Sequence, residues 1–88
     1  MIKISAKLVK NHKTIKTASY NSVNEYDSND FYLYISTLAR SLDIETPIII
    51  AYHRECFESF NSLKLTADDF IDKINFDYMF IENYDRLL

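Results

Sequence analysis

None of the 88 residues is glycine. Any turn that needs a left-handed backbone must therefore be made by asparagine or aspartate, whose short polar side chains tolerate it. The same absence removes whole classes of chemistry. Without a glycine loop, backbone amides cannot come close to a phosphate, so the dinucleotide-binding and P-loop fingerprints are excluded.

Within that constraint the chain alternates in a readable way. Ile2, Ile4, Ala6 and Leu8 share one face of a period-2 pattern, with Lys3, Ser5 and Lys7 on the other, which predicts a half-buried strand. Asn11-His12-Lys13 is a short polar break. A second, less regular strand follows over Thr14–Tyr20, giving an antiparallel hairpin with an Asn-led turn and room for a bulge. After a loop over residues 21–28, with Asp27 or Ser28 as cap, the residues Phe31, Ile35, Leu38, Ala39 and Leu42 form an amphipathic helical stripe. That helix should stop near Asp43–Glu45, because Thr46 precedes Pro47 and is pushed toward extended geometry.

The second half reads as four further elements. Ile48-Ile49-Ile50 is β-branched and is expected to be a central strand covered on both faces. Residues 53–61 form a short helix carrying Cys56, Phe57 and Phe60. Thr66-Ala67-Asp68-Asp69 has the form of a helix start, and its helix would bury Phe70, Ile71 and Ile74. Tyr78–Tyr84 is the last strand. The expected fold is α+β, in the order β-β-α-β-α-α-β, with a four-stranded sheet and helices mainly on one face. Residues 1–88 are expected to form a single domain, since this length suits one core and not two.

The stretch Pro47-Ile48-Ile49-Ile50, Phe57, Leu65-Thr66 with Phe70, and Ile74-Asn75-Phe76-Asp77-Tyr78 resembles a family of small uncharacterised proteins of clostridia and related Gram-positive bacteria. The likeness spans roughly residues 45–82. It implies the same element order and a bacterial cytoplasmic setting, and no catalytic residue. Arg54, Glu55 and Glu58 depart from it, since relatives are more basic there.

A single cysteine, Cys56, rules out an internal disulfide and favours a reducing, cytoplasmic compartment. The alternating N-terminus does not read as a signal peptide, and the apolar run Pro47–Tyr52 is far too short to span a membrane.

Charge is unevenly divided. Lys3, Lys7, Lys10, Lys13 and Lys16 all precede the first acid, Glu25, whereas residues 25–88 carry all 13 acids and five bases, a net −8. Such a split acts on partners and on self-association. Lys3, Lys7 and Lys16 are the candidate partner-binding residues. Three roles are open to them: blunting a sheet edge, docking an acidic surface, and contacting nucleic-acid phosphates.

Other constellations have bland readings beside the sharp ones. His53 and Cys56, at i and i+3, could begin a zinc site or a Cys–His nucleophile, but four ligands are not in sight and Glu55 and Glu58 oppose a thiolate. Asp68, Asp69 and Asp72, with Asp77 behind, could hold a hard cation, yet acids are expected in a first helical turn. Tyr32, Tyr34, Tyr52, Tyr78 and Tyr84 could stack bases, but they sit mostly in the acidic part of the chain, and core and interface packing explains them better. No cofactor or metal is expected. The resulting expectation is a non-enzymatic protein-interaction or regulatory domain, with self-association as a homodimer among its forms. The alternatives are a nucleic-acid-binding accessory protein using the lysine face and a non-catalytic subunit of an enzyme complex.

Overall fold

The computed structural model describes the backbone of residues 1–87 and the side chains of residues 1–85. Strands β1 (Ile2–Lys10) and β2 (Lys13–Ser22) form the expected hairpin, followed by helices α1 (Phe31–Ser41) and α2 (Ala51–Phe60). Strand β3 (Ser62–Leu65), strand β4 (Tyr78–Asn83) and a terminal helical turn, α3 (Tyr84–Leu87), complete the chain. All sheet pairings are antiparallel and the strand order is β2-β1-β4-β3. The α+β class, the four-stranded sheet and the one-sided helix layer are as the sequence led us to expect.

The turns show how a chain without glycine reverses direction. The positive φ values fall on Asn11, His12, Asp43 and Asn61. Asn11 and His12, at φ 53° and 66°, form the two-residue loop that a type I′ hairpin requires. The carboxylate of Asp77 accepts from Asn11 N–H at 2.9 Å and holds that loop. Asp43, at φ 59°, ends α1. Its N–H donates to Arg40 O at 3.1 Å and that of Ile44 to Ala39 O at 3.0 Å, the paired bonds of a Schellman cap. Asn61, at φ 57°, supplies the left-handed residue between α2 and β3.

One face of the sheet is the core. Ile4, Leu8, Leu65, Met79 and Ile81 point into it, against Ile35, Leu38 and Phe57 of the two helices. The α1 stripe Phe31, Ile35, Leu38, Ala39 and Leu42 is buried throughout. The register shift between Leu8 and Val9 is the bulge that the weaker alternation of β2 foreshadowed.

Two expected elements differ. Ile48–Ile50 is extended but is not a strand, and Ile48 and Ile50 are 47% and 55% exposed. A β-branched run favours an extended backbone, but strand status needs neighbours, and β1 and β4 already fill the centre of the sheet. Ile48 N–H instead donates to Asp69 O at 2.7 Å. The third strand lies at β3, after α2. The helix expected after Thr66 is a single 3₁₀ turn, Ala67–Asp69. Phe70 then goes extended and buries its ring edge-on against Phe76 at 5.7 Å, leaving Ile71 exposed.

Candidate functional site

The helices cover one face of the sheet and leave the other bare. Strand register fixes what the bare face displays. One row across the sheet reads Thr17, Lys7, Phe80, Lys64, and the next reads Ser19, Ser5, Glu82, Ser62. Asn21 and Lys3 begin a third. Rows are about 7 Å apart along the strands, and Lys7 and Lys64 stand about 10 Å apart across them. The centre is hydroxyl-rich, with three ammonium groups around one carboxylate.

The rings on this face lie close to the lysines. Lys64 Nζ lies 4.3 Å from the Tyr78 ring centroid, and Lys7 Nζ lies 5.5 Å from that of Phe80. Each contact is worth about 0.5–1 kcal/mol at an exposed site. The lysine stems shield apolar surface while the charged ends stay in water.

The three candidate lysines separate. Lys3 and Lys7 sit on the bare face of β1, an interior strand, so edge blunting does not describe them. Lys16 does not join them. It pairs with Leu8, on the core-facing side of the sheet, and its Nζ donates to Leu42 O at 3.1 Å, at the C-terminal end of α1. A cation there complements the helix dipole, so its role is structural. Lys64 takes the third place on the face. Sequence reasoning passed over it because β3 was not recognised as a strand.

His53 and Asp69 form a different arrangement. His53 is buried, its Nδ1 accepts from Ile50 N–H at 3.1 Å, and its Nε2 meets Asp69 Oδ1 at 3.0 Å. The first bond makes Nδ1 the acceptor, so Nε2 carries the proton donated to Asp69. Asp69 Oδ2 also accepts from Thr66 N–H at 2.8 Å. Both ring nitrogens are thus committed, and neither is left to take a proton from Cys56. The pair joins the start of α2 to the 3₁₀ turn.

The other carboxylates disperse. Asp77 holds the hairpin loop, Asp69 holds His53, and Asp68 and Asp72 are exposed. Among the described residues, no three His, Cys, Asp or Glu side chains converge as a metal site would need. The tyrosines disperse as well. Tyr34 is buried between Tyr20 and Tyr26, at centroid distances of 5.1 and 5.6 Å. Tyr78 stands on the lysine face and Tyr84 Oη reaches Glu82 Oε1 there at 3.5 Å, while Tyr32 and Tyr52 are exposed on α1 and α2.

A polar latch ties the 21–30 loop to α2. Glu58 Oε2 accepts from Ser28 Oγ at 2.6 Å and from Tyr26 Oη at 2.9 Å. The Ser28 hydroxyl first, then the Tyr26 hydroxyl and Arg54, hold the Glu58 carboxyl below the usual carboxylate range. Burial, then the hydrogen bond to Glu58, pushes the Tyr26 phenol well above the ordinary tyrosine range.

Comparison with known proteins found no matching family model, no matching curated protein and no matching solved structure.

Proposed function

We propose that this chain is a non-enzymatic interaction domain whose helix-free sheet face docks an acidic protein segment. The observation that supports it is the placement of Lys3, Lys7 and Lys64 on one bare face of a molecule whose net charge is −3. A local positive field on an acidic protein selects an acidic partner and orients its approach. An acidic protein fits better than nucleic acid. Lys64 and Lys7 lie against the rings that bases would stack on. Two such faces repel each other, so a homodimer of this kind would pair the lysine face of one copy with Asp68 and Asp72 of another.

The test is fluorescence anisotropy with a labelled oligoglutamate and a labelled oligothymidylate of equal charge. Oligoglutamate should bind, weaken as salt rises, and lose about tenfold or more in affinity, some 1.4 kcal/mol, with Lys3→Gln, Lys7→Gln and Lys64→Gln combined. Tighter, ring-dependent binding of oligothymidylate would move the reading to a nucleic-acid accessory protein. Binding of neither would end it.

A further inference from the structure

The sheet has an open edge beside Lys64. Strand β3 has β4 on one side and no strand on the other. Asn83 N–H donates to Asn61 O at 2.9 Å, which sets the alternation of the antiparallel ladder. Ser62 and Glu82 then form a non-bonded pair, and so do Lys64 and Phe80. Leu63 and Leu65 turn their backbone groups to β4, whereas Ser62 and Lys64 turn theirs outward. Among the described residues, no side chain or loop bonds those outward groups.

A groove of about 480 Å³ runs along this edge. Its helix side is lined by Ile50, Tyr52, Cys56 and Phe60, and its sheet side includes Lys64 and Phe80. Ile50, Tyr52 and Phe60 are among the most exposed large apolar side chains of the protein, and they cluster here. The groove therefore continues into the lysine face through Lys64 and Phe80. The opposite edge, β2, differs: its register is broken by the bulge opposite Leu8 and Val9, and a bulge blunts strand addition.

We propose that the β3 edge takes up one extended strand of the acidic partner, with acidic and apolar residues alternating along it. This rests on the acidic-docking reading and specifies where and how the partner sits. An added strand would bond the outward groups of Ser62 and Lys64. Its side chains alternate in direction, so every second one lies on the lysine face and the others enter the groove. Lys64, on the adjoining strand, fits carboxylates on the first side. Ile50, Tyr52 and Phe60 fit apolar residues on the second, where Asp69 at the groove wall disfavours further acids.

The probe is a capped heptapeptide, Glu-Val-Glu-Phe-Glu-Val-Glu, with a scrambled control that groups its four glutamates at one end. Binding is followed by NMR, and amide exchange is read at Ser62 and Lys64 in the bound state. The alternating peptide should bind more tightly than the control and slow exchange at both amides by about tenfold or more. Lys64→Pro, which removes one outward N–H and leaves the β4 ladder intact, should weaken it more than Lys64→Gln does. Binding with unchanged exchange at Ser62 and Lys64, and with shifts at Lys3 and Lys7, would overturn the edge inference and leave the docking face standing. No binding by either peptide at about 1 mM, the weak end of specific association, would overturn the inference. Oligoglutamate binding would then decide the docking face separately.

Discussion

At the scale of single residues, the absence of glycine transfers strain to particular side chains. Asp43 occupies the left-handed position at the end of α1, where it also sets a negative charge against the negative end of the helix dipole. Asp43→Gly should therefore raise stability by up to about 1 kcal/mol, since relief of left-handed strain exceeds the added freedom of the unfolded chain. A fall in melting temperature would contradict this. Leu38 is fully buried between α1 and the sheet. Leu38→Ala should cost about 2–5 kcal/mol in denaturant unfolding, and a loss below about 0.5 kcal/mol would place the side chain at the surface. Both sites were legible in advance: the stripe by its period, and the left-handed turns by elimination among residue types. His12 was not, because histidine is a third choice for that backbone region.

At the scale of elements, short-range signals were read correctly where neighbours did not overrule them. The capping pattern at Thr66 does form, through Asp69, but the same carboxylate is shared with His53 and the turn does not propagate. Ile48–Ile50 has strand composition and no strand partner. Neither outcome is visible in local sequence, because each depends on a contact between segments distant along the chain. Asp69→Ala should release both His53 and Thr66 N–H and cost about 1–3 kcal/mol, the penalty for polar groups left without partners. A loss within about 0.5 kcal/mol in thermal unfolding would show that the pair is dispensable.

The latch at Glu58 has a sign that pH can test. Its folded-state carboxyl is held below the usual range, so its contribution is present above the unfolded value and is lost as pH falls through the folded one. The melting temperature of wild type should fall from about pH 5 downward more steeply than that of Glu58→Gln. Parallel acid limbs would show that the latch carries no linkage. On the alkaline side Tyr26 acts in the opposite sense: its stabilisation is complete below the unfolded tyrosine value and is lost as pH rises through the folded one.

At the scale of the whole molecule, the division of charge along the chain is not kept in space. The early lysines do not all act together, since Lys16 caps a helix while Lys3 and Lys7 face outward from an interior strand. The third member, Lys64, comes from the acidic half, and only the β3–β4 pairing brings it there. The order of charges along the chain pointed to early lysines, and register shows which lysines share a face. The most direct measurement is NMR shift mapping of the isotope-labelled protein titrated with oligoglutamate at low salt. The expected result is a continuous set of perturbed residues, Lys3, Ser5, Lys7, Lys64 and Phe80, that returns to its free position as salt rises. Perturbation confined to the hairpin end at Lys10 and Lys13, or spread evenly over the surface, would contradict a docking face on the bare side of the sheet.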